Sequence, residues 1–138
     1  MAPVNPMRQY QEQVVNTATP GMVTVMLFEE IIKNINLAAK AIDEHNVQDS
    51  HDAILKAENI YLTLNNFLDE RYEISKNLSD LYNYMASRLV EANIKKDKGI
   101  LQEVAAFSVE FRDTWRQAEK NAMIEQQKSG RARLQQTT

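Results

Sequence analysis

The sequence predicts an all-α fold, an antiparallel up-and-down four-helix bundle with an N-terminal capping arm. The chain of 138 residues has only three glycines and three prolines, too few for the many turns of a β-sandwich or for glycine-rich phosphate loops. Its apolar residues recur at helical spacing over long segments. Hydrophobic residues make up 43% of the chain and charged residues 25%, a balance typical of a folded core.

Composition and charge exclude several kinds of site. Because the chain has no cysteine, it has no disulfide, thiolate-bound zinc or cysteine nucleophile. The formal net charge of −3 gives no overall attraction to nucleic acid. The N-terminus lacks the pattern of a signal peptide, and the uncharged stretch 13–28 is too short to span a bilayer. We therefore expect a cytoplasmic protein with no nucleic-acid partner and no stable membrane insertion.

The first helix is predicted to begin at Thr19-Pro20, because threonine is a good N-cap and proline is tolerated at the first helical position. Polar residues over 43–50 indicate its end, with Asn46 as the expected stop. Its apolar face runs for four turns through Phe28, Ile31, Ile32, Ile35, Ala38, Ala39 and Ile42.

Three more helices follow after short connections. They are predicted over about 50–70, over about 73–96, and from an N-cap at Asp97 onward. Their apolar stripes are Ala53, Ala57, Ile60, Tyr61, Leu64 and Leu68; then Ile74, Leu78, Leu81, Tyr82, Met85, Leu89 and Ala92; then Leu101, Val104, Phe107, Ser108, Phe111, Trp115, Ala118 and Ala122. The predicted organisation is an arm over 1–19, a bundle over 20–127, and a disordered tail over 128–138, which has no apolar face.

Catalytic and metal chemistry find little support in the residues. A di-iron bundle needs Glu-x-x-His pairs, and neither His45 nor His51 stands in that motif. Glu29 and Glu30 are adjacent and point to different helix faces, so they form no acid–base pair. We predict no catalytic residue, no cofactor and no metal.

The helices carry more apolar surface than their core stripes require. Beyond the stripes lie Met26 and Leu27 on the first helix, Leu62 on the second and Tyr84 on the third. Each of them could simply widen the core face. Together they suggest a groove with a rim of amide side chains, formed by Asn59, Asn66, Asn77 and Asn93. Such a groove suits a polypeptide partner with both apolar and polar groups to satisfy.

The N-terminal arm contains isolated apolar residues that could cover this groove. Tyr10 is the leading candidate, because tyrosine offers a large face together with a hydroxyl group. A removable cover and a permanently packed arm are both compatible with the sequence.

Seven short segments together resemble one known family. They are Tyr10, VNTATP at 15–20, MLF at 26–28, KAENI at 56–60, LYNYM at 81–85, RLVEAN at 88–93 and FRDTW at 111–115. In this order and spacing, from about Tyr10 to Glu119, they resemble the FliS family of flagellin-specific export chaperones. Two features depart from the family pattern. Arg71-Tyr72 stands where many members have a Gly-Gly pair, and Phe28 replaces a common tyrosine.

The resemblance implies a non-enzymatic cytoplasmic chaperone built as a four-helix bundle without cofactor. Its expected partner is the disordered C-terminal region of flagellin, which it keeps from premature polymerisation. It is expected to assist delivery to the flagellar type III export apparatus, where the complex meets an export-gate component. Without its client, the chain is expected to be a monomer or weak dimer. The alternatives are a structural homo-oligomeric bundle and a metal-binding bundle enzyme.

Residues outside the core stripes and within or near the matched segments are the predicted partner-binding set. Tyr82 and Trp115 are instead expected in the core. For Arg88 two interpretations stay open: it satisfies a carboxylate or a carbonyl group at the groove edge, or it forms a plain surface pair. The predicted binding residues are Tyr10, Met26, Leu27, Leu62, Tyr84, Asn59, Asn66, Asn77 and Asn93.

Overall fold

The computed structural model describes residues 19–136, and this part of the chain contains helices and no strand. The helices are α1 (Pro20–Asp43), α2 (Val47–Asn66), α3 (Glu73–Lys95) and α4 (Lys98–Gln136). The all-helical prediction is therefore confirmed. The arm residues 1–18, and Tyr10 among them, lie outside the described residues. The chain divides into two units, one over residues 27–111 and one that contains the described stretches 19–26 and 112–136.

Side chains fix the starts of three helices. The Thr19 hydroxyl accepts a hydrogen bond from the Met22 N–H at 3.2 Å, as an N-cap should. Asp97 does the same for α4, accepting from the backbone N–H groups of Gly99 and Ile100. Asn46 is the N-cap of α2, since its side chain accepts from the Asp49 N–H at 3.1 Å. It therefore begins the second helix, whereas the sequence indicated only the end of the first.

Four aromatic rings, one from each helix, meet in the core of the 27–111 unit. Phe28 of α1 stacks on Phe111 of α4 with ring centroids 5.4 Å apart. Tyr61 of α2 and Tyr82 of α3 lie 6.0 Å from each other and also contact the Phe28 ring. Such offset and edge contacts stabilise a core beyond the burial of their area. All four helices thus share one core, as a bundle requires.

Contacts at two levels show the relative directions of neighbouring helices. Besides Phe28 and Phe111, α1 and α4 are joined by Asp43 and Lys98, whose side chains are 2.6 Å apart. The end of α1 therefore lies beside the start of α4, and residues nearer the start of α1 contact residues further along α4. In the same way α2 and α3 meet at Tyr61 and Tyr82, and again where His51 is 2.9 Å from Asn93. Each of these two pairs is antiparallel. The up-and-down order of the whole bundle stays a prediction.

The core stripe of α1 is rotated by about one residue from the predicted stripe. Its fully buried apolar side chains include Leu27, Phe28, Ile31 and Ala38, while Ile32 is only half-buried. The face centred on residues 27, 31 and 38 is itself a helical repeat, so the apolar pattern alone admitted both choices. The assignment of Leu27 to surplus surface is therefore wrong.

Five predicted core residues lie at the surface instead, among them Ala118 and Ala122 in the later part of α4. Ile74 is 64% exposed, because it stands in the first turn of α3. Leu81 and Phe107 are 40% and 38% exposed, which places them at the edges of their stripes. Tyr82, in contrast, is buried as predicted, and Trp115 is half-buried.

Helix α4 continues through Gln136, beyond the predicted end of the bundle at residue 127. The expectation of a disordered tail over the described residues 128–136 is therefore wrong. Seven of the nine residues 128–136 are arginine, glutamine, lysine, alanine or leucine, which favour a helix without needing an apolar face. In the unit that contains this stretch, the Thr19 hydroxyl donates a hydrogen bond to the carboxylate of Glu119.

Candidate partner-binding surfaces

One exposed face of α2 alternates leucine and asparagine. We call Leu55, Asn59, Leu62 and Asn66 the α2 strip; their spacing of four, three and four residues places them on one helical face. Leu55 and Leu62 are 40% and 42% exposed, and both asparagines are exposed. Within the described residues, no hydrogen bond occupies the side chains of Asn59 and Asn66. The strip can therefore give a polypeptide both apolar contacts and hydrogen bonds.

A polar cavity of about 390 Å³ lies where α2 ends and α3 begins. Asn66 belongs to both the α2 strip and this cavity. The Oδ1 atom of Asn65 is buried and has no hydrogen-bond partner among the described residues. The residues that line the cavity are Asn65, Asn66, Leu68, Glu70, Ser75, Lys76, Ser79 and Asp80.

Tyr84 stands on α3 and is tied to α4 by a polar network. Its ring is 48% exposed, and its hydroxyl donates to Glu103 at 3.3 Å. Arg88 donates to the same carboxylate at 2.8 Å and to Glu91 at 2.6 Å, so its expected pairing with a carboxylate is confirmed. The Arg88 hydrogen bond holds the pKa of Glu103 below its ordinary value. Likewise, the hydrogen bond from Lys95 lowers the pKa of Glu91.

The other predicted site residues are not brought together on one surface. Asn77 is exposed on the first turns of α3 but does not line the cavity. Asn93 accepts a hydrogen bond from Lys96 and contacts His51, so its amide is already engaged within the bundle. Leu27 has no exposed area and belongs to the core, which corrects its assignment to a binding surface. Met26 is half-buried in the unit that contains the described residues 19–26.

Comparison with known proteins decides the family. The family model described as flagellar protein FliS matches residues 3–122, nearly the whole chain. The chain belongs to the FliS family.

Three FliS relatives show how far the similarity extends. The flagellar secretion chaperone FliS of Bacillus subtilis (strain 168) is 42% identical over 130 residues, covering 94% of this chain and 98% of the relative. The flagellar secretion chaperone FliSB of Pseudomonas aeruginosa is 33% identical and covers 79% and 91%. The FliS of Escherichia coli (strain K12) is 31% identical and covers 78% and 81%. The expected family is therefore confirmed, and it is a family of flagellar chaperones.

The polar cavity of this FliS family member is a feature that the sequence patterns missed. Its lining comes from the end of one helix, the start of the next and the connection between them, so no single motif carries it. Ser75 and Ser79 are the one available signal, because two small residues four apart leave space beside a helix.

Residues 19–136 of this FliS chain contain no group of three or more histidine, aspartate or glutamate side chains placed to hold a metal ion. In the same described range, none of the helices combines the length and apolar character needed to cross a membrane.

Proposed function

We propose that this FliS family member is a bacterial cytoplasmic chaperone that binds the C-terminal region of flagellin. It prevents premature polymerisation and assists delivery of flagellin to the flagellar type III export apparatus. Relatives named flagellar secretion chaperones support the general role. The observation that carries the client-binding role is the α2 strip, an exposed row of leucines and unpaired amides beside a core that is filled without it.

The chemistry of the α2 strip fits an unfolded or partly helical client. The apolar side chains of Leu55 and Leu62 accept apolar client residues, because burial of that area is favourable. The amides of Asn59 and Asn66 can donate to and accept from client backbone groups that would otherwise lose water without compensation.

The proposed role also requires release. Ordering a disordered client costs about 2–5 kcal/mol or more of the interaction free energy, so a large interface remains reversible. A client region that is held on the chaperone is not free to enter filament contacts. The complex, rather than the chaperone alone, then meets the export-gate component.

The remaining predicted residues join this proposal as a second surface and a cover. Tyr84 presents a half-exposed ring on α3, and Asn77 lies seven residues before it on the same face. Met26 and Tyr10 are proposed to act with the arm, Tyr10 as part of a cover that the client displaces. Without client, we propose a monomer or weak dimer.

The direct test mixes the full chain with monomeric flagellin and measures binding by calorimetry and light scattering. We expect a one-to-one complex with intact flagellin and none with flagellin that lacks its C-terminal region. Equal binding of both flagellins would contradict the proposal. Light scattering of the chaperone alone at several concentrations tests the proposal that it is a monomer or weak dimer without client. A tight dimer would contradict this proposal.

A further inference from the structure

We infer that the polar cavity between α2 and α3 is an anchor site for a lysine or arginine side chain of the bound polypeptide. The cavity has a volume of about 390 Å³, within the range of roughly 300–1,000 Å³ of sites that enclose small ligands. This inference rests on the proposed function, because it takes the occupant to be part of the client.

The first supporting observation is the unsatisfied side-chain oxygen of Asn65, a residue that lines the cavity. Asn65 Oδ1 is buried and accepts no hydrogen bond from any described residue. A buried acceptor without a partner is costly, and native proteins seldom keep one without a reason. A donor group from a bound molecule would satisfy it. The unsatisfied atom therefore points to a ligand that carries N–H groups.

The second observation is the charge of the cavity lining. Glu70 and Asp80 line the cavity as carboxylates, and Lys76 is the one cation among the lining residues. None of the three forms an ion pair with another described residue. The lining therefore has a net charge of −1 and offers unpaired carboxylates, while the hydroxyls of Ser75 and Ser79 add further acceptors. These groups together favour a cationic donor over an anion or an apolar group.

The third observation is the continuity between the cavity and the α2 strip. Asn66 belongs to both, and Leu62 stands one turn before it on the same face. A client segment that lies along the strip would reach the cavity at the end of α2. A basic side chain of that segment can then enter the cavity while its neighbours contact Leu62. A long basic side chain suits this geometry, because its apolar stem can pack while its charged end is bound.

Two variants and a matched control test the anchor with flagellin as the ligand. Asp80→Asn removes one carboxylate at an exposed position, and Asn65→Leu removes the unsatisfied oxygen. Each is expected to weaken flagellin binding about five-fold to ten-fold, the scale of one charge-assisted hydrogen bond. Glu44→Gln removes a carboxylate near the opposite end of α2 and is expected to leave the affinity unchanged. Equal losses in Asp80→Asn and Glu44→Gln would overturn the inference.

A second experiment does not depend on flagellin. Amide and side-chain NMR signals of the full chain are followed during titration with N-acetyl-argininamide, and with N-acetyl-citrullinamide as its uncharged counterpart. We expect the signals of Asn65 and Ser79 to shift with the arginine compound only, and the shifts to be reduced at least about three-fold in Asp80→Asn. No shift in the wild-type chain, or equal shifts with both compounds, would overturn the anchor site. Failure of flagellin to bind the wild-type chain would instead contradict the proposed function.

Discussion

The hydroxyl of Tyr61 lies 2.6 Å from Ser108 Oγ inside the bundle, and both residues are completely buried. Ser108 also donates to the Val104 carbonyl at 2.7 Å. Because a serine hydroxyl has a single hydrogen, Tyr61 must be the donor in its bond to Ser108. This chain of two hydrogen bonds joins α2 to α4 and satisfies the two buried hydroxyls next to the aromatic core.

Removing the Ser108 hydroxyl is expected to cost more stability than removing the Tyr61 hydroxyl. Ser108→Ala leaves the Tyr61 hydroxyl buried without a partner, which costs about 1–3 kcal/mol. Tyr61→Phe leaves Ser108 bonded to Val104 and costs only about 1 kcal/mol. The double variant should lose less than the sum, because the two residues share one interaction. Urea unfolding of the three variants at pH 7 measures this, and strictly additive losses would contradict the shared bond.

The same tyrosine predicts a loss of stability at high pH. Burial raises the pKa of Tyr61 above its ordinary value of about 10, because the charged phenolate would lose its contact with water inside the core. Above pH ~10 the unfolded chain releases the tyrosine proton while the folded chain keeps it, so the free energy of unfolding falls as pH rises.

Tyr61→Phe isolates this contribution from the other titrating groups. The wild-type chain should lose up to about 1.4 kcal/mol per pH unit more than the variant above pH ~10. The advantage of the wild type at pH 7 should therefore shrink between pH 10 and 11. Unfolding free energies across pH 8–11 test this, and a constant difference would refute it.

The sequence predicted where the helices lie more reliably than it predicted which face of each helix is buried. Each predicted helix exists, because apolar residues recur at helical spacing in all four. Thr19 and Asp97 cap the starts of α1 and α4. The face of α1 was misplaced by one residue, since Leu27 and Phe28 are both apolar and only packing decides which of them centres the stripe. A wide apolar face carries too little information to fix its own rotation.

The candidate site was predictable only where one helix carries it. Asn59, Leu62 and Asn66 lie on one face of α2, so their spacing alone groups them. The polar cavity depends on how α3 returns beside α2, which no spacing within one helix encodes. The contacts of Asn93 depend on the same packing, because His51 of α2 lies 2.9 Å from its amide, while Lys96 follows it by three residues in the chain.

Substitutions at Leu27 and Tyr84 should distinguish a core residue from a surface residue by their effects on stability and on flagellin binding. Leu27→Ala is expected to destabilise the chain by about 2–5 kcal/mol, because it leaves a cavity at a side chain with no exposed area. Tyr84→Ala, at a ring 48% exposed, should cost clearly less stability and weaken flagellin binding in the still folded chain. Thermal unfolding together with binding calorimetry measures both. The reverse order of stability losses would contradict the burial seen here.

The Arg88 network predicts an effect that depends on pH. Because the Arg88 hydrogen bond lowers the pKa of Glu103 in the folded chain, the stabilisation is present above the ordinary glutamate pKa of about 4.3. It is lost as pH falls through the lower, folded-state pKa. Glu103→Gln should therefore reduce stability at pH 7 and have little effect in strong acid. Glu110→Gln, at an exposed carboxylate on the same helix, is the control and should show no such trend.

If the α2 strip binds the client, a polar substitution in the strip should lower the affinity for flagellin, whereas the same change at another exposed apolar residue should not. Leu62→Ser removes an apolar contact from the centre of the strip and should weaken flagellin binding by about 1–2 kcal/mol, or roughly 5–30-fold. Ile94→Ser makes a similar change at a side chain on α3 that is 79% exposed, so both variants carry a comparable cost in helix propensity. Its affinity for flagellin should match that of the wild type. Calorimetric titration of both variants decides the matter: if Ile94→Ser loses as much affinity as Leu62→Ser, the client contacts apolar surface without preference and the α2 strip is not its binding site.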